Sequence, residues 1–136
     1  MSANPAAPRV LLVDDDESIR FPVGDYLGLH GYVVDCASDV VEALERLARS
    51  TYAGAIVDLH LSSSAEPEGL ALVERLAREH PRTRVVVLAA CEAGLAAEAL
   101  RRGADWVLQK PSPLSRVAEV VDVLCRSPRP FDREVP

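Results

Sequence analysis

Five short apolar runs, at residues 10–13, 32–34, 55–57, 85–90 and 106–108, constrain this chain more than any other feature. Most are continuous rather than alternating, the pattern of strands covered on both faces. Each gap between them is long enough for a crossover helix, so the expected unit is strand–helix–strand with parallel strands. Three runs lead into charged chemistry. The first is followed by Asp14, Asp15 and Asp16, the third by Asp58, and the last by Gln109, Lys110 and Pro111. In a parallel sheet such tips share one edge, where open α/β folds hold their sites.

The gaps read as helices. Residues 17–30 form the first, stopped by Gly31, with Pro22 expected to kink it or delay its start. Ser38 is expected to cap a helix to Arg49 that gathers Val41, Leu44, Leu47 and Ala48 on one face. Residues 69–80 place Leu70, Val73, Leu76 and Ala77 together before Pro81. Residues 93–102 bury Leu95, Ala99 and Leu100, and Arg101 and Arg102 sit as a solvated helix end before Gly103. Ser112 and Pro113 read as a cap and first helical residue, followed by Leu114, Val117, Val121 and Leu124. The expected organisation is a loose segment at 1–8, one domain at 9–126, a polar loop at 62–68 and a proline-rich tail at 127–136.

At 136 residues with 49% hydrophobic and 26% charged side chains, the composition is that of one globular domain. A net charge of −6 argues against a duplex-binding module, which needs a basic stripe. No apolar run approaches the ~18 residues of a spanning helix, and the first residues lack a signal-peptide pattern. Cys36, Cys91 and Cys125 are odd in number and far apart, which suits a reducing cytosol and no zinc or disulfide framework.

Acids from two strand tips beside a lysine from a third make a site for a divalent cation and a phosphoryl group. Two unit charges about 4 Å apart repel by on the order of 4 kcal/mol at an effective dielectric of 20, so Asp14, Asp15 and Asp58 need a cation or a proton. Oxygen-only ligands select a hard ion such as Mg²⁺. A lone Asp at a strand end is more often a turn former or helix cap than a functional residue; three correctly ordered tips are far more specific.

The runs and tips together resemble the receiver domain of bacterial two-component response regulators, over about residues 9–126. The matching motifs are Leu12 to Glu17 in the first turn, Val57-Asp58-Leu59 at the third strand, Gly103-Ala104-Asp105, and Lys110-Pro111. The resemblance implies a flavodoxin-like (βα)5 fold, a five-stranded parallel sheet of order 2-1-3-4-5 with helices on both faces. It implies that Asp58 is the phosphoacceptor, that Asp15 binds Mg²⁺ with Asp14 assisting, and that the His60 backbone carbonyl is a further metal ligand. Lys110 falls on the lysine position of relatives, in which the bond to the following proline is usually cis.

The sequence also departs from the family. Relatives carry Thr or Ser at the end of the fourth strand, where Ala89 stands, and a switch Tyr or Phe where Val107 stands. Ser62 occupies the place of an expected proline, and Gly69 lies eleven residues after Asp58 rather than roughly eight. These losses bear on output rather than on fold. His60 and Cys91 fall on the site rim, His60 either modulating water access or simply exposed, Cys91 either an apolar filler or a redox group. Trp106 reads either as a partner anchor or as an edge-packing residue, on a contact surface with Leu95, Val107 and Gln109.

The expected function is that of a stand-alone cytoplasmic receiver in a phosphorelay. It takes a phosphoryl group on Asp58 from a sensor histidine kinase or a histidine phosphotransfer protein, with Mg²⁺. It then signals by contact with a downstream protein, without nucleic-acid or membrane binding. Any catalysis is its own phosphorylation and dephosphorylation. The rival reading is a pseudo-receiver, a phosphorylation-independent interaction module. Ala89, Val107 and the serine loop favour it; Asp14, Asp15, Asp58 and Lys110 oppose it. A flavodoxin-like nucleotide binder is disfavoured, because the first turn is acidic where a phosphate cradle needs glycines and backbone amides.

Overall fold

The structure, a computed structural model, describes residues 7–60, 68–90 and 94–126. Strands β1 (Arg9–Val13), β2 (Val33–Ala37), β3 (Gly54–Asp58), β4 (Arg84–Ala89) and β5 (Trp106–Gln109) alternate with five helices. These are α1 (Glu17–Leu29), α2 (Val40–Arg49), α3 (Glu68–Glu79), α4 (Leu95–Arg101) and α5 (Leu114–Arg126). The strands form one parallel sheet of order β2-β1-β3-β4-β5, the order the resemblance implies. β1, β3 and β4 are buried almost throughout, whereas the edge strands β2 and β5 are partly exposed.

Strand alternation sends successive side chains to opposite faces. Leu11, Val13, Val57, Val87 and Ala89 pack under α2, α3 and α4 through Leu47, Leu76 and Ala99. Val10, Leu12, Ile56, Leu88 and Leu108 pack under α1 and α5 through Leu27 and Val121. Both faces of the interior strands are therefore apolar, which is why their sequences run continuously rather than alternate.

Local chemistry places several helix ends differently from the sequence expectations. α1 runs from Glu17 through Pro22, so no late start occurs; Pro22 is exposed, and the Ser18 carbonyl it leaves without an intrahelical donor lies on the wet side. α2 is capped by Asp39, which accepts from the Glu42 N–H at 2.8 Å, while Ser38 donates its N–H and hydroxyl to the Glu42 carboxylate. Its inward face is Val40, Ala43, Leu44 and Leu47, and Val41 is 67% exposed. Ser112 does not cap α5; its hydroxyl donates to the Gln109 carbonyl, and Pro113 precedes the first helical residue. α4 is shorter than expected, and Leu100 is half exposed rather than buried. Gly31 has φ +95, the left-handed stop expected after α1.

Gly69 shows how tightly α3 is seated. Its N–H donates to the Leu59 carbonyl at 2.8 Å. A Cβ built there would lie 2.6 Å from both the Asp58 carbonyl oxygen and Leu59 Cα, which are backbone atoms that cannot turn aside. Gly28, in contrast, has open space around it. Gly69→Ala is expected to destabilise the fold by roughly 1–3 kcal/mol through overpacking. Gly28→Ala is expected to stabilise it by about 0.5–1 kcal/mol through helix propensity. Urea melts of the two variants beside wild type check both signs.

Candidate functional site

The sheet order places the tips of β1 and β3 side by side, so Asp14, one residue beyond β1, meets Asp58, the last residue of β3. Carboxylate oxygens of Asp14, Asp15 and Asp58 all lie within 4.8 Å of one another. Asp14 and Asp58 are buried, 0% and 3% exposed, and Asp15 faces solvent. Lys110 follows β5 and reaches across the end of β4, its Nζ 3.0 Å from Asp58 Oδ1. The same oxygen accepts from the His60 N–H at 3.2 Å. The Lys110 N–H donates to the Ala89 carbonyl at 2.8 Å, and the Lys110–Pro111 peptide is cis.

The three acids of the first turn have different partners. Asp16 caps α1, accepting from the Ser18 N–H at 3.0 Å and its hydroxyl at 2.6 Å. Those Ser18 bonds hold the Asp16 carboxyl below its ordinary range. Asp14 Oδ1 accepts the Asp16 N–H at 3.0 Å, but Asp14 Oδ2 is buried without a hydrogen-bond partner. Burial pushes the Asp14 carboxyl up to about 6; the Asp58 charge adds to the rise, and the Asp16 N–H and Lys110 oppose it. A buried carboxylate oxygen without a donor, in an all-oxygen trio with one open side, fits a hard divalent cation such as Mg²⁺. Asp14, Asp15 and Asp58 are the side chains that could hold it.

Ala89 and Val107, on which the resemblance places the family's switch residues, lie on one face. Ala89, 2% exposed, and Val107, half-buried, both belong to the core under α2, α3 and α4. Trp106 cannot substitute for an aromatic at 107, because adjacent strand residues point to opposite faces. It is 38% exposed, with the Arg116 guanidinium of α5 over its ring at 5.8 Å from the centroid. Leu95 is half-buried against the core rather than projecting, and Gln109 is exposed. Cys91, Ser62 and the rest of the polar loop before Glu68 lie outside the described residues; Glu68 is the first residue of α3.

Three features of the site go beyond what was read from sequence. Arg20 donates from α1 to the Asp14 carbonyl at 2.9 Å. Gly69 packs against the backbone of Asp58 and Leu59. Asp16 serves the helix rather than the acid trio; the spacing Asp16-x-Ser18 ahead of an apolar-periodic segment was the available signal for that cap.

Comparison with known proteins places the chain. A family model described as the response regulator receiver domain matches residues 10–122. The chain is 33% identical over 129 residues to the response regulator protein PilR of Pseudomonas aeruginosa, covering 94% of this chain and 28% of PilR. It is 32% identical over 125 residues to the response regulator MprA of Mycobacterium leprae, covering 91% of this chain and 54% of MprA. Among solved structures, it is similar to a Burkholderia pseudomallei response regulator with a phosphorylated aspartic acid, a calcium ion and citrate. That likeness has a TM-score of 0.74 and 28% identity, over 93% of this chain and 69% of the other. The chain thus spans about half or less of the length of these curated relatives. With its sheet order, acid-bearing tips and family match, the chain belongs to the response regulator receiver-domain family.

Proposed function

We propose that this receiver, taken as residues 9–126, is a phosphoacceptor of a cytoplasmic two-component phosphorelay. Asp58 accepts the phosphoryl group from a histidine kinase or histidine phosphotransfer protein. The observation that carries the reading is the buried Asp58 carboxylate, 3.0 Å from the Lys110 ammonium and grouped with two further acids. The aspartyl phosphate and calcium ion in the Burkholderia relative add support by family likeness. Recognition of target proteins by the α4–β5–α5 face, with Trp106 and Gln109 exposed on it and Leu95 packed inward, belongs to the same proposal. The acidic net charge speaks against nucleic-acid contact by this domain, and among the described residues no helix is long and apolar enough to cross a membrane. The reading is the same whether the receiver acts by itself or joined to an output region.

An oxygen of Asp58 attacks phosphorus as the P–N bond to the donor imidazole breaks, and the imidazole leaves with that electron pair. Lys110, paired with Asp58 beforehand, stays close enough to pair with the phosphoryl oxygens afterwards. Asp14, Asp15, Asp58 and the His60 carbonyl would hold Mg²⁺, which when bound neutralises charge on the transferring phosphoryl group. A second reading, a phosphorylation-independent interaction module, is favoured by the methyl of Ala89 where relatives place a hydroxyl. Ala89 cannot donate the charge-assisted bond, worth ~1.5–3 kcal/mol, that would draw β4 toward a phosphoryl group.

Incubation with Mg²⁺ and acetyl phosphate is expected to add one phosphoryl mass to wild type and none to Asp58→Asn, read by intact mass spectrometry. No gain, with acetyl phosphate or with phosphorylated kinases as donors, selects the interaction-module reading. Beryllofluoride binding is expected to shift amide signals around Asp58 while leaving those of α4 nearly unmoved; broad α4 shifts would show that coupling survives without the hydroxyl.

Asp14 sets a pH dependence. Its folded pKa of about 6 lies above the ordinary carboxylate value, so the fold disfavours the ionised form. Stability from this group is fully present below the unfolded value and lost as pH rises toward and through 6. In metal-free buffer at pH 7.5, Asp14→Asn is expected to raise the melting temperature by roughly 5 °C. The gain should fade near pH 4 and shrink when millimolar Mg²⁺ is added to both proteins.

A further inference from the structure

We propose that Arg20 is a positioning residue for the acid site, fixing the backbone of Asp14 and through it the carboxylate that faces Asp58. The inference rests on the metal-binding reading above. β1 ends at Val13, so the Asp14 carbonyl is the first acceptor beyond the strand, in a residue with no exposure to water. A buried carbonyl needs a donor. Arg20, one turn into α1, supplies it: its side chain runs back over the helix N-terminus and Nη1 donates to that oxygen at 2.9 Å. On the other side the Asp14 N–H donates to the Ala37 carbonyl at 3.0 Å. The Asp14 backbone is therefore clamped between β2 and α1.

The clamp matters because the Asp14 carboxylate is itself lightly held. One oxygen takes the Asp16 N–H and the other has no partner. Its direction toward Asp15 and Asp58 is inherited from the backbone. The rest of the Arg20 side chain lines a cleft of about 300 Å³ with Phe21, Val34 and Cys36, rather than the acid trio. Arg20 thus acts through Asp14 without touching the metal or the phosphoryl group, as outer partners of metal ligands commonly do.

The test is a titration of the full chain with Mg²⁺ alone, followed by amide NMR. Arg20→Met is expected to weaken Mg²⁺ about 10-fold, and Arg20→Lys, which keeps a charged donor, to recover much of that loss. In an Asp14→Asn background Arg20→Met should add little further weakening, because the carboxylate it positions is gone. If Arg20→Met does not fold, Arg20→Gln, too short to reach the carbonyl, decides in the same way. Unchanged Mg²⁺ affinity in the Arg20 variants overturns the inference, and so does an equal loss with and without Asp14. A wild type that binds no Mg²⁺ overturns the metal reading itself, and the inference with it.

Discussion

Two carboxylates almost without access to water share one ammonium group, and this electrostatic imbalance is the constraint on which the rest of the site depends. Asp14 and Asp58 are buried together, and Lys110 is bonded to Asp58. Asp14 is left with a bare oxygen and a carboxyl that burial pushes upward. Like charges in a poorly screened environment are costly. The arrangement persists because the surrounding backbone leaves little alternative. β1 and β3 are neighbours in a five-stranded sheet packed on both faces, so their tips must meet. A cation between them relieves what the fold cannot.

The sheet order also explains the reach of Lys110. β4 lies between β3 and β5, so the lysine spans two strand spacings, about 9–10 Å, measured between backbones. Its own N–H is fastened to the Ala89 carbonyl at the end of β4, which brings the side chain in across that tip. Backbone bonds thus hold the lysine in place with no contribution from a hydroxyl at 89. What the hydroxyl would add is a link between site occupancy and the core behind it. Here Ala89 and Val107 are apolar members of one packed cluster with Leu95 and Ala99. Neither Ala89 nor Val107 carries a hydroxyl or a ring that could form such a link.

The spacing between Asp58 and Gly69 illustrates how a departure in sequence leaves local geometry intact. The glycine lies eleven residues on, where the family resemblance led to an expectation of roughly eight, and its N–H meets the Leu59 carbonyl while its missing Cβ admits the Asp58–Leu59 backbone. Added length in a loop costs little entropy when its two ends are fixed. The close approach at those ends cannot be relaxed in the same way, since the neighbours are backbone atoms.

The sequence by itself determined the architecture. Continuous apolar runs at 10–13, 55–57 and 85–90, with helix-length gaps between them, admit few arrangements other than a parallel sheet covered on both faces. It also determined which residues stand at the strand tips, because strand ends follow from where an apolar run meets a charge. As residue types Asp14, Asp15 and Asp16 are three identical side chains in succession; the family resemblance gave roles to Asp14 and Asp15 and none to Asp16. Only the tertiary structure decided that Asp16 caps α1 while Asp14 turns inward to Asp58, because the backbone changes direction between them. The cap of α2 moved from Ser38 to Asp39 for a similar reason: two adjacent residues were competent, and the Glu42 carboxylate accepted from one while its N–H donated to the other. Arg20 was invisible for a further reason. A side chain donating to a carbonyl six residues back leaves no periodic trace in a sequence, and its partner is set by how α1 packs on the sheet. Periodicity records burial, which is local and repetitive; the pairing of polar groups is decided by where distant strands and helices bring them.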